Sequence, residues 1–230
     1  MKRLTILLLA FAFAGHARAA SYSLNNIFAT IPDGDLNGYQ SSITVSGFSG
    51  TLADVNVTLN LSGGFNGDLY GYISHNSTTA ILLNRVGRSS TSSVGYPDSG
   101  FGPDISADSF TFDDQAPRDV HAYRTFSFTV NGNGQLTGTW QPDGRNIDPL
   151  SSGSTFDSAA RSNPLGLFNG MDANGTWTLF LSDVSSGGES TLVSWGLQLT
   201  PVPEPGSCGL GLCGLGMAFF FSRLRLKVAA

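Results

Sequence analysis

The residues best suited to covalent chemistry in this sequence are two histidines, His75 and His121, and an acidic turn, Asp98-Ser99-Gly100. A serine nucleophile needs a histidine base and an acid that orients it. Neither histidine lies in a His-Gly-Thr context, and no Gly-Thr-Ser turn offers the nucleophile. Asp98-Ser99-Gly100 looks like a catalytic acid turn, but it occurs once, in a Ser/Gly/Pro-rich stretch, without a partner. His-Glu-x-x-His, phosphate-loop and Gly-x-Ser-x-Gly patterns are missing as well. The expectation is a chain that does no catalysis of its own.

What must position these residues is a set of strands. Val55, Val57, Leu59 and Leu61 alternate with Asn56, Thr58 and Asn60, the period-two signature of a half-buried strand. Phe126, Phe128 and Val130 repeat the pattern. So do Trp177, Leu179 and Leu181, where Phe180 interrupts the polar side, and Val193, Trp195, Leu197 and Leu199. Turn clusters separate the runs: Ser62-Gly63-Gly64, Asn131-Gly132-Asn133-Gly134 and Ser185-Ser186-Gly187-Gly188. No stretch of helical period stands between them. The pattern predicts an all-β domain over residues 21–200, an antiparallel jelly roll or β-sandwich. Trp177 and Trp195 share the apolar parity of consecutive strands, so both are expected in one core, where each buries on the order of 200 Å².

The closing strands carry a family resemblance. Asn174-Gly175-Thr176-Trp177-Thr178-Leu179, then Ser182-Asp183, then Leu192-Val193-Ser194-Trp195-Gly196-Leu197 resemble the end of the P domain (P/Homo B), the β-sandwich found behind subtilisin-like proprotein convertases. Ile31-Pro32-Asp33, Gly67-Asp68-Leu69, Phe110-Thr111-Phe112-Asp113-Asp114 and Leu167-Phe168-Asn169-Gly170 fit the same pattern in the same order, over roughly residues 28 to 200. P domains accompany a serine endopeptidase module, for which this chain has no room. P domains also often bind calcium, and the matching positions here are Asp68, Asp113, Asp114 and Asp183, with Asp172 as a further candidate. Calcium takes several carboxylate and carbonyl oxygens, and this spacing is not an EF-hand loop. The alternative for each aspartate is capping of a local turn by its side chain.

The ends carry addresses. Lys2 and Arg3, an apolar run from Leu4 to Ala14 and the small-x-small site Ala17-Arg18-Ala19 read as a signal peptide over residues 1–20. At the other end Val202-Pro203-Glu204-Pro205 precedes an apolar run from Gly206 to Phe221, followed by Arg223, Arg225 and Lys227. A transmembrane helix over about 206–222 is expected, slightly short for a bilayer, with the basic tail 223–227 in the cytoplasm and the domain outside. Proline-stiffened motif, span and basic end resemble, over residues 201–230, the PEP-CTERM sorting signal of bacterial envelope proteins. The resemblance implies recognition and cleavage by an exosortase, with Val202, Pro203, Glu204, Pro205, Arg223 and Arg225 as the signal. The two prolines hold the motif extended.

Between the ends the chain keeps six arginines and no lysine against seventeen acidic residues from Asp33 to Glu204, a net charge of −11. That balance disfavours nucleic acid, and anionic polysaccharide unless divalent cations bridge the charges; it equally serves solubility. Both cysteines, Cys208 and Cys213, lie in the apolar run, so no disulfide braces the domain. Two irregular stretches, 85–109 and 141–164, are long enough to be functional. In the first, Tyr96, Phe101 and Pro103 form either a recognition surface or packing against the sandwich. The expected function is an exported, non-catalytic cell-surface or extracellular-matrix protein, associated with exopolysaccharide and membrane-anchored until cleaved. The alternatives are a calcium-dependent carbohydrate-binding or adhesion module, and an accessory P domain for a separate secreted serine protease.

Overall fold

In the computed structural model of the chain, residues 18–102 and 110–203 are described. Among the described residues, ten strands lie in a unit running from Ala19 to Pro201. They are β1 (Ala20–Leu24), β2 (Ala29–Ile31), β3 (Asp35–Val45), β4 (Leu52–Gly63), β5 (Leu69–His75), β6 (Thr78–Asn84), β7 (Thr111–Phe112), β8 (Thr139–Trp140), β9 (Gly175–Asp183) and β10 (Ser190–Pro201). One sheet runs β1-β10-β4-β7-β8, with β2 also on β10; the other runs β3-β9-β5-β6. The two form a β-sandwich. One short helix, α1 (Gly153–Ser158), and 3₁₀ turns at Asn66–Asp68, Val120–Thr125 and Leu165–Phe168 sit in the connections.

The alternating runs in β4, β9 and β10 are the core of the sandwich. Val55, Val57, Leu59 and Leu61 of β4 face inward and are buried, as are Leu179 and Leu181 of β9 and Leu197 and Leu199 of β10. Trp177 and Trp195 are both fully buried in one cluster, and they come from opposite sheets. The Trp195 indole N–H crosses the sandwich to donate to Ser41 Oγ of β3 at 2.9 Å, while Trp177 donates to Ala173 O at 2.9 Å. Each ring thus fills the core and still satisfies its one polar atom. The β5–β6 hairpin turns on Asn76 and Ser77, both at positive φ, as a two-residue hairpin loop requires.

The antiparallel sandwich stands, and two expectations about its strands need correction. Phe126, Phe128 and Val130 do not form a core strand: the chain there is irregular, and the three side chains keep 38–47% of their surface exposed. Period-two alternation marks a chain that can pair, but here the segment joins no strand: Phe126 N closes the preceding 3₁₀ turn on Tyr123 O, and Thr137 N of its own return limb donates to Thr129 O at 3.1 Å. Val193 does not share the buried parity of Trp195, because a bulge between Leu192 and Ser194 shifts the register and puts Leu192 and Trp195 in the core. The sheets are antiparallel except at β7 and β8, which pair in parallel; the 26-residue connection from Phe112 to Thr139 is long enough for that crossover.

Candidate functional site

The candidate chemistry gathers around the loops at the edges of the sandwich. Asp98, the apparent catalytic acid, is a latch. Its two oxygens each accept from Arg124, Nε to Oδ2 at 2.6 Å and Nη2 to Oδ1 at 2.6 Å, and Oδ2 also accepts from the Tyr123 hydroxyl. Burial pushes the Asp98 carboxyl up, but these hydrogen bonds outweigh it and hold it below the usual carboxylate range. The buried Asn66 side chain accepts from Gly100 N at 2.7 Å and donates to Gly100 O at 3.2 Å, and its backbone N–H donates to Asp98 O at 2.8 Å. Phe101 is fully buried and Tyr96 packs on the core. In the 85–102 stretch the packing alternative therefore holds, and a recognition surface built on Phe101 is ruled out; Pro103 lies outside the described residues.

His121 does have an acidic partner, one that no spacing or motif in the chain signals. Nδ1 lies 2.7 Å from Asp143 Oδ2, and Nε2 lies 3.0 Å from the Arg88 carbonyl oxygen. In a serine triad the second nitrogen would face a hydroxyl; here a backbone carbonyl holds that place. Both neighbours are acceptors, so the doubly protonated ring satisfies both. Burial pulls the His121 pKa down, and the hydrogen bond and charge of Asp143 outweigh it, raising the pKa above the ordinary value. Arg145 bridges Asp143 and Asp119, and Arg161 stands near Asp119, completing a buried network. His75 is likewise engaged: it stacks on Trp177 at 4.3 Å, with Thr176 O 3.1 Å from Nδ1 and Asp172 O 2.8 Å from Nε2.

The four aspartates singled out for calcium fall into two places. Asp113 Oδ1 accepts from Gln115 N at 2.7 Å, and Asp114 accepts from Leu165 N and Gly166 N at the start of a 3₁₀ turn. Asp172 Oδ1 accepts from Asn174 N at 2.9 Å. These three cap turns. Asp68 and Asp183 meet at the other place, beside Arg85, which bonds Asp68 Oδ1 at 3.2 Å and Ser185 Oγ at 3.0 Å. Asp183 has no exposed surface and its Oδ2 has no hydrogen-bond partner. Burial, then the charges of Asp68 and Asp33, push its carboxyl up to about 6. Among the described residues no group of three or more His, Cys, Asp or Glu side chains is placed to hold a metal ion.

The exposed apolar segment borders a groove of about 280 Å³ lined by Pro117, Arg118, Ser127, Phe128, Thr139 and Trp140. It opens at β8, the edge strand of its sheet. Arg118 lies over the Phe126 ring at 5.8 Å and donates to Ser127 O.

Of the sorting signal, Val202 and Pro203 are exposed just beyond β10. Glu204, Pro205, the span 206–222, Arg223 and Arg225 lie outside the described residues, as does most of the signal peptide, residues 1–17. Among the described residues no helix is long and apolar enough to cross a membrane. The family model of the PEP-CTERM protein-sorting motif matches residues 201–225. The chain therefore carries the motif, which implies an exported protein sorted by an exosortase and anchored at its C-terminal end before cleavage. No curated protein matches the chain significantly. Two solved structures are loosely similar. One is the complex of the Aeromonas sobria serine protease (ASP) with the chaperone (ORF2), 17% identical at a TM-score of 0.42, covering 81% of this chain and 27% of that one. The other is the serine protease of Aeromonas sobria, 16% identical at a TM-score of 0.39, covering 80% and 26%. The chain spans about a quarter of the length of the chains it matches.

Proposed function

We propose that the chain is an exported, non-catalytic β-sandwich of the P-domain type, cleaved by an exosortase after its domain reaches the outside and placed on the cell surface or in the exopolysaccharide matrix. The observation that carries this reading is the PEP-CTERM motif at 201–225, which begins where the last strand ends at Pro201. Val202 and Pro203, just past that strand, are exposed, so a processing enzyme reaches the start of the motif without unfolding the sandwich. The non-catalytic part rests on how the reactive side chains are spent. Asp98 is latched to Arg124 and the Tyr123 hydroxyl, His121 faces Asp143 and a carbonyl, and His75 is stacked and bonded to carbonyls, so neither histidine faces a hydroxyl nucleophile.

The test is mass spectrometry of the mature protein together with fractionation. Cleavage near Val202–Pro205 is expected, and Glu204→Ala or deletion of 206–230 is expected to shift the protein between membrane, surface and medium. Identical fractionation of parent and variants would sink the reading.

A further inference from the structure

The apolar stripe Phe126, Phe128 and Val130 has the pattern of a core strand and yet is exposed. Phe128 flanks the groove, and Val130 lies beyond it, bridged to Leu136. In the parallel β7–β8 pair, Thr111 N donates to Gly138 O at 3.0 Å and Asp113 N to Trp140 O at 2.9 Å. Residues of a strand alternate in the side to which their peptide groups point. The N–H and C=O of Thr139 therefore point away from β7, toward the groove, and its side chain is exposed.

Among the described residues of the sandwich the charge in the groove, Arg118, is one of two arginines, with Arg88, that lack a carboxylate partner. Among the described residues of the sandwich, Arg85, Arg124, Arg145 and Arg161 each pair with a carboxylate. Arg88 is tied to the carbonyls of Ser93 and Ser151 and lies over Phe156. Among the described residues Arg118 pairs with no carboxylate; its neighbours are the Phe126 face and the Ser127 carbonyl. In a domain with six arginines against seventeen acids, a cation without an acid, set beside an aromatic ring and hydroxyl groups, is complementary to a ligand that carries one carboxylate and one apolar face.

We propose that this groove binds a carboxylate-bearing sugar unit, the carboxylate on Arg118, the C–H face of the ring on Phe128, and hydroxyls on Thr139 and Ser127. A pyranose ring has those three surfaces, and at about 280 Å³ the groove is just below the range of drug-sized ligand sites, roughly 300–1,000 Å³, as suits a single sugar unit. The net negative charge of the domain repels a dense polyanion, whereas a single carboxylate about one Debye length, roughly 8 Å, from other charges meets mainly Arg118. The groove thus selects an acidic sugar set among neutral ones. The proposal rests on the matrix reading above only for where such a glycan is met.

The experiment is calorimetric titration of the full chain, purified in detergent, with an aldobiouronic acid (one hexuronate joined to one neutral hexose) and with the matching neutral disaccharide. The acidic sugar is expected to bind roughly tenfold or more tightly than the neutral one, the size of one charge-assisted contact. Arg118→Gln is expected to erase that difference, Phe128→Ala to weaken both sugars, and Phe128→Tyr to retain binding, with melting curves showing that each variant is folded. Equal binding of the two disaccharides, binding indifferent to Arg118→Gln, no binding of the acidic sugar, or the same Arg118 dependence shown only by an acidic peptide would overturn it. Sorting plays no part in this measurement, so a chain that is sorted but does not bind, or binds but is not sorted, separates this inference from the matrix reading.

Discussion

His121 Nδ1 stands 2.7 Å from Asp143 Oδ2, and Asp143 has no exposed surface. The pair joins three segments that are far apart in the chain. His121 comes from the 3₁₀ turn at Val120–Thr125, Asp143 from the second long irregular stretch, and Arg88, whose carbonyl meets the other ring nitrogen, from the first. The ring also stacks on Phe156 of α1 at 5.8 Å. A buried charged pair is weak as a source of net stability, but removing one partner leaves the other uncompensated and costs about 3–5 kcal/mol. The pair therefore acts as a fixed joint between the loops.

Stability is expected to fall as the pH rises through the His121 pKa. The folded-state value is raised above 6.5, so the stabilisation by the charged ring is fully present below about 6.5 and is lost as pH climbs through the folded value. Each unit of elevation corresponds to about 1.4 kcal/mol, or about 3–6 °C in Tm for a domain of this size. Melting curves from pH 6 to pH 9 check this. A His121→Gln variant should be less stable at pH 6 and flatter across the range; a parent whose Tm does not change over that interval contradicts the assignment.

Asp183 sits on the opposite side of the stability ledger. Its carboxyl is raised to about 6, so the fold favours the neutral form, and stability declines as pH rises from about 3.8 through that value. At pH 7 the buried charge costs roughly 2–3 kcal/mol. Asp183→Asn keeps the shape and removes the charge near Asp68 and Asp33. It is expected to raise Tm by roughly 4–10 °C at pH 7 and by little at pH 4.5. A calcium-dependent rise in Tm that this substitution abolishes would be the signature of the cation that the P-domain resemblance implies.

The strands were legible where alternation coincided with a partner. In β4, β9 and β10 the period-two runs fall in long strands paired on both sides, and Trp177 and Trp195 are buried as their parity requires. The identical pattern at Phe126–Val130 misleads, because alternation records side-chain chemistry and not whether a neighbouring strand is available. The His121–Asp143 pair was out of reach for a different reason. Asp143 lies in an irregular stretch and His121 in a short 3₁₀ turn, and no periodicity ties one to the other 22 positions away. Asp98 illustrates the reverse case: the turn was visible, but its meaning depended on Arg124 and Tyr123, which only the fold brings to it.

Asp98→Asn is expected to release the first long loop before the sandwich melts. The substitution removes the charge that Arg124 and the buried Tyr123 hydroxyl meet, at a cost of about 1–3 kcal/mol. Limited proteolysis should cut faster between residues 88 and 99, while the cooperative Tm falls only modestly. Unchanged proteolysis would mean that the loop is held by Asn66 and Phe101 without Asp98.

Gly67 explains why the Gly-Asp-Leu piece of the P-domain pattern begins with glycine in this chain. Its N–H donates to Tyr96 O at 2.8 Å, and the loop crosses so closely that a Cβ would lie 2.4 Å from Val94 O and 2.6 Å from Tyr96 N. These are backbone atoms, which cannot swing aside as a side chain would. Gly67→Ala is therefore expected to lose about 2–4 kcal/mol and to expose the 94–100 segment to proteases. Gly175 offers the contrast. A Cβ there meets nothing closer than His75 Cε1 at 3.4 Å, but the residue has φ of +120°, which side-chain-bearing residues rarely adopt. Gly175→Ala should therefore lower Tm through the backbone alone and leave the loop protected. If hydrogen exchange shows Tyr96 N equally slow in parent and Gly67→Ala, the close crossing is not what fixes the loop.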